Sequence, residues 1–254
     1  MGVTIGMAGK GGTGKTTLAG LTIKYLLNKG RTPILAVDAD SNANLNEVLG
    51  LQFEATLSEA REEMKRTGGQ VSITKDMLIE MRTNQALVEA DGYDLIVMGR
   101  PEGPGCYCAA NTVLSAVLEK LLNNYPYLVI DNEAGMEHLS RLTTKKVDVM
   151  FIVSDASRRG LTAALRIRDL LDELKIQVGH KFLVLNQVRG QVAPELMKEI
   201  EQSGIHLAGI IPEDDVIYQW DQTGQPTSRI DPSNAAVTAA FAMFDQTLGL
   251  GTFS

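Results

Sequence analysis

Seven short apolar runs recur along the chain: residues 3–8 (VTIGMA), 33–38 (PILAVD), 93–99 (YDLIVMG), 127–131 (YLVID), 149–155 (VMFIVSD), 181–186 (KFLVLN) and 206–212 (HLAGIIP). They are nearly continuous rather than alternating. That is the pattern of strands covered on both faces, as in parallel sheets flanked by helices. Helical periodicity fills the intervals at 15–29, 111–123, 160–174 and 194–203, with a last helix at 233–248. Strand alternating with helix predicts an α/β fold with a doubly wound, mostly parallel sheet and helices on both faces. Residues 54–90 are polar and charged, and are expected to form helices and loops inserted between the second and third strands. No repeat, linker or break in composition divides residues 1–254, so one domain is expected.

Composition narrows the function. The net charge of −7 disfavours a broad basic face, so no nucleic-acid partner is expected. No apolar run approaches the roughly 20 residues that cross a bilayer, and the first residues read as a strand rather than a targeting signal. A cytoplasmic protein with no membrane partner is the expectation. The two cysteines, Cys106 and Cys108, are too few and too close for a disulfide framework.

Gly9 to Thr16 reads GKGGTGKT, which fits G-x-x-x-x-G-K-[ST] between a strand and a helix. In such a P-loop, glycines (Gly9, Gly11, Gly12 and Gly14) let backbone N–H groups converge on phosphate oxygens. Thr13 lies within the loop, and Thr17 follows it at the start of the helix. The helix N-terminus adds positive potential. Lys15 is expected to reach the terminal phosphates, and the hydroxyl of Thr16 to hold Mg²⁺. The ligand is therefore expected to be ATP or ADP with Mg²⁺, and the activity an ATPase. Lys10 is a second lysine that this pattern does not require.

Three further stretches lie at strand ends, where open α/β sheets bind ligands. Asp38 and Asp40 follow the second strand and either cap the next helix or serve the site. Asp131 ends the fourth strand in a Walker-B-like position, suited to holding Mg²⁺ through water. Asn186 ends the sixth; its amide can donate and accept, as reading an adenine edge requires. Ile210–Asp215 is also placed to border the base. His138 is a lone histidine in an amphipathic stretch, more often packed than ligating.

Cys106 and Cys108 sit in a Gly/Pro loop after the third strand. In an extended segment their side chains would point the same way, about 6.5 Å apart. A structural metal site usually takes four protein ligands, and the only histidines, His138, His180 and His206, are remote in sequence. Two copies of the pair across a two-fold axis would supply four thiolates, suiting tetrahedral zinc or square-planar nickel.

KGGTGKT resembles the deviant phosphate loop of a class of dimerising ATPases that includes division-site and partition ATPases, the nitrogenase iron protein and nickel-insertion ATPases. The resemblance implies that Lys10 crosses to the nucleotide of the facing subunit, stabilising charge as an arginine finger does. It implies that Asp40, spaced from Asn44 as in the first switch of the class, positions the attacking water. It makes Ala134-Gly135 the second switch, although Asn132 and Glu133 replace the Thr-Pro common there; Gln187 likewise stands where Lys is usual. No cysteine follows Asp131 as in a nitrogenase-type reductase, and no basic C-terminal helix suggests membrane positioning. The loop, GPGCYC and DNEAGMEHL in this order resemble the CooC-type nickel-insertion ATPases over nearly the whole chain. That implies a homodimer that closes on ATP, binds Ni²⁺ (or Zn²⁺) between its Cys pairs, and serves a client nickel enzyme, carbon monoxide dehydrogenase or acetyl-CoA synthase. The alternative is a structural zinc that only clamps the dimer.

Overall fold

The computed structural model describes residues 2–59, 83–99, 121, 124–133 and 146–249. Eight strands form one sheet: β1 (Val3–Gly9), β2 (Ile34–Ala39), β3 (Leu87–Ala90), β4 (Tyr93–Val97), β5 (Tyr127–Asn132), β6 (Lys146–Ser154), β7 (Gln177–Val188) and β8 (His206–Pro212). Their order across the sheet is β3-β4-β2-β5-β1-β6-β7-β8. Every pairing is parallel except β3 with β4.

The helices described are α1 (Lys15–Asn28), α2 (Leu45–Leu49), α3 (Arg158–Glu173), α4 (Pro194–Ser203), α5 (Asp215–Thr223) and α6 (Ala235–Thr247). They cover both faces. On one, Leu18, Leu21 and Tyr25 of α1 and Val237, Ala240 and Phe244 of α6 pack with Ile5, Met7 and Phe151 of the sheet. On the other, Leu161 and Ile167 of α3 and Leu196 and Ile200 of α4 pack with Ala8, Met150 and Ile152. The strands expected from the apolar runs are all present, which follows from their burial on both sides.

Two elements differ from the expectation. Leu87–Ala90, assigned above to inserted helices and loops, is an antiparallel edge strand, joined to β4 by Asp91-Gly92 with Gly92 at φ 80°. Its four residues are too few to show a period, but Asp-Gly between short apolar runs is a hairpin signal. The sequence reading also gave no helix at Asp215–Thr223, where α5 forms behind an Asp214 cap whose Oδ1 accepts from the amides of Val216 (2.9 Å) and Ile217 (3.1 Å). This helix is nine residues long and has no fully buried residue; Ile217 and Trp220 pack only partly against the core. The expected helix at 111–123 lies almost wholly outside the described residues. No described helix is long and apolar enough to cross a membrane.

Candidate active site

β1 delivers the phosphate loop. Gly9 lies against β6 so closely that a Cβ there would stand 2.3 Å from the carbonyl oxygen of Val153. α1 opens at Gly14, in the left-handed region at φ 82°, and no side chain caps its first turn. The amides of that turn are thus unclaimed by any side chain, the arrangement that receives an anion. The hydroxyl of Thr13 donates to the Lys10 carbonyl (2.9 Å), and the Lys15 ammonium reaches back to the same carbonyl (3.3 Å). Lys15 is buried. Desolvation lowers its pKa, opposed by the nearby carboxylates of Asp131 and Asp40. The Lys10 side chain is exposed.

The carboxylates come from the adjoining strands. Asp131 of β5 stands in register with Met7 of β1 on one side and Asp38 of β2 on the other. Asp38 is fully buried. Its Oδ1 accepts from the Asp40 amide (3.1 Å) and its Oδ2 from the Leu45 amide (2.9 Å). Burial raises its pKa to about 7, reinforced by the charge of Asp131 and opposed by those two hydrogen bonds. Asp38 thus holds the loop that leads into α2. Burial also raises the pKa of Asp131 to about 6, while a hydrogen bond from Thr16 and the charge of Lys15 pull it down. Its Oδ1 is buried with no hydrogen-bond partner. An orphaned carboxylate oxygen next to a hydroxyl is a donor set that suits a hard divalent cation.

Asp40 takes a different part. It lines the cleft beside the loop, and its Oδ1 accepts from the amide (2.8 Å) and side chain (3.0 Å) of Asn42 rather than capping α2. Next to it, the Ser41 hydroxyl donates to Glu133 Oε1 at 3.0 Å, tying the loop after β2 to the loop after β5. Asn132, where the resembling class has Thr, is buried and donates to the Met7 carbonyl at 2.8 Å.

Asn186 closes the far side of the loop. Its Nδ2 donates to the Thr13 carbonyl at 2.8 Å, so the amide braces the phosphate loop itself. Gln187, at φ 56°, lines the cleft. Ile210–Asp215 is not part of the lining. The same side is formed further along by Trp220, Asp221, Gly224, Gln225 and Thr227. No sequence motif points to these residues; the signal available is a lone tryptophan just before Gly224-Gln225-Pro226. The cleft measures about 500 Å³, within the usual range for small-molecule sites.

Cys106, Cys108, Ala134-Gly135 and His138 lie outside the described residues. Among the described residues no group of three or more His, Cys, Asp and Glu side chains is arranged for a metal. His180 and His206 flank Phe182, with ring centroids at 5.9 and 5.2 Å.

A glycine loop opening a helix, an inward lysine and carboxylates on the neighbouring strands define a P-loop nucleotide-binding ATPase. The chain belongs to the CobQ/CobB/MinD/ParA nucleotide-binding domain family, whose model matches residues 5–227. An uncharacterized ATP-binding protein of Methanocaldococcus jannaschii is 41% identical over 234 residues, covering 91% of this chain and 92% of the relative. The carbon monoxide dehydrogenase accessory protein CooC of Rhodospirillum rubrum is 30% identical over 243 residues, covering 90% of each chain. Among solved structures, the septum site-determining protein MinD of Pyrococcus horikoshii, complexed with Mg-ADP, superposes with a TM-score of 0.69 at 21% identity, covering 97% of this chain and 96% of that one.

Proposed function

We propose that this ATPase is a metallochaperone: a homodimer that closes on ATP, holds Ni²⁺ between the Cys106 and Cys108 pairs of its two subunits, and inserts it into a nickel enzyme, carbon monoxide dehydrogenase or acetyl-CoA synthase. The observation that carries this reading is the Cys106-Tyr107-Cys108 pair on a chain that also has the two-lysine phosphate loop. The 30% identity to CooC over nine-tenths of both chains supports it.

Lys15 binds and orients the terminal phosphates, its attraction for them raised by its loss of hydration. Thr16 and Asp131 would hold Mg²⁺, which neutralises phosphate charge when bound. Asp40 faces the same cleft and orients the attacking water. Asp38 keeps Asp40 in place through its backbone amide. The exposed Lys10 is free to serve the partner subunit's nucleotide. Asn186, beyond bracing the loop, offers its Oδ1 to the base.

The experiment is metal titration of the purified chain with Ni²⁺ and with Zn²⁺, apo, with ADP and with a non-hydrolysable ATP analogue. The expected result is saturation near one metal per two chains, lost in Cys106→Ser and Cys108→Ser, with nickel affinity shifting between nucleotide states by roughly 5–150-fold, the usual span of two-site coupling. Equal affinity in all three states would assign a zinc clamp instead. One metal per chain would refute a shared site.

A further inference from the structure

Beyond the phosphate loop, the cleft continues between α2 and the segment that runs from α5 to the 3-10 turn Thr227–Arg229. Its walls are largely polar or glycine; the large apolar side chains that line it are Val48 and Trp220. Trp220 is the chain's only tryptophan. It lies on a helix with no buried residue, and packs only partly against the core. The turn that follows is fixed: the Gln225 amide donates to the Trp220 carbonyl at 2.9 Å, with Gly224 left-handed at φ 68°.

The half-covered indole of Trp220 presents an apolar face beside a largely polar cleft. Covering that face with a flat apolar surface is favourable. A nucleotide anchored by its phosphates at Gly11–Thr16 would extend its nucleoside along this same cleft. The Nδ2 group of Asn186 meanwhile already bonds the loop. That amide can meet the base only at its edge, through Oδ1, so the face of the ring needs another wall.

We propose that Trp220 is the nucleobase-contacting residue of the site, its indole receiving the face of the adenine ring. Stacking needs only a π-face, so Trp220 contributes affinity for nucleosides in general and favours the larger purines over pyrimidines. The proposal rests on nucleotide binding by this ATPase, and is independent of any metal at Cys106 and Cys108.

The test uses the full chain and its single tryptophan. ATP and ADP should each change the indole emission on binding, whereas tripolyphosphate, which fills the phosphate loop without a base, should bind and leave it unchanged. Trp220→Ala should weaken ATP roughly 5- to 150-fold, the range measured for loss of base–aromatic stacking, while tripolyphosphate affinity holds. Trp220→Phe should keep ATP affinity within a few-fold, since a smaller ring still stacks. A Trp220→Ala chain that loses ATP and tripolyphosphate affinity alike would overturn the proposal, because the residue would then only support the loop. So would ATP binding, seen by calorimetry, with unaltered emission. Absence of any ATP binding to the wild-type chain would locate the failure in the nucleotide reading itself.

Discussion

The amide of Asn186 and the missing side chain of Gly14 occupy one space: a Cβ on Gly14 would stand 2.4 Å from Asn186 Nδ2, the atom that donates to the Thr13 carbonyl. The phosphate loop is thus shaped from both sides, by a glycine that leaves room and by an amide that fills it.

Gly14→Ala therefore meets two penalties, the contact with Asn186 and the left-handed φ of 82°. The backbone strain alone costs about 1–3 kcal/mol, so ATP affinity measured by calorimetry should fall at least several-fold. Adding Asn186→Ala should relieve only the contact, so the double variant stays weaker than Asn186→Ala.

Lys15→Ala should abolish ATP hydrolysis, with turnover falling by at least about 10²–10³, the cost of removing one preorganised charge-stabilising group. A phosphate-release assay checks it, and near-normal turnover would remove Lys15 from the site.

Lys10→Ala should behave differently. The exposed side chain has no place in its own cleft, so nucleotide affinity should persist. ATP-dependent dimerisation, or turnover by about 10³-fold or more as with an arginine finger, should be lost. Sedimentation with and without ATP, alongside the rate, separates the two. A variant that dimerises and hydrolyses normally would leave Lys10 a solvated rim residue.

Asp38 and Asp40 should part company on mutation. Asp40→Ala should fold normally and trap an ATP-bound dimer with little turnover. Asp38→Ala should cost stability, because the buried Leu45 amide and the Asp40 amide both lose their acceptor; each buried group left unpaired costs about 1–3 kcal/mol. Denaturant melts and single-turnover rates on both variants decide the matter.

Stability should depend on pH through the same carboxyl. Asp38 binds its proton more tightly folded, at about 7, than at its ordinary 3.8. Its contribution is therefore complete below pH 3.8 and is lost as the pH rises to about 7. The melting-temperature gap between the wild type and Asp38→Ala should shrink across that window. Mg²⁺, which favours ionised carboxylates, should stabilise the chain more at pH 8 than at pH 5; an unchanged gap, or equal Mg²⁺ effects, would contradict this.

The motif and strand ends were legible because their chemistry is local. Gly9–Thr16 needs glycines at fixed offsets, and Asp38 and Asp131 end runs whose burial is written in consecutive Val, Ile and Leu. What escaped depends on tertiary neighbours. Nothing near Asn186 in sequence shows that its partner is Thr13, 173 positions away. Asp38 and Asp40 look interchangeable in sequence, yet one is buried under the loop and the other lines the cleft. Trp220 is hard to read from sequence because α5 is only nine residues long and none of them is fully buried. Leu87–Ala90 was missed because four residues cannot display a period, and its Asp91-Gly92 turn was the better clue.

The sheet order alters how cargo and fuel would communicate. β4, which leads toward Cys106 and Cys108, does not adjoin β5, which leads toward Ala134-Gly135; β2 lies between them. Past the end of β4, the Met98 amide still bonds the carbonyl of Asp38 at 2.9 Å. The strand bearing the thiol loop is therefore fastened to the residue that anchors Asp40. In the proposed metallochaperone, metal at Cys106 and Cys108 would thus act on Asp40, and so on the timing of ATP cleavage, more directly than on the grip for ATP.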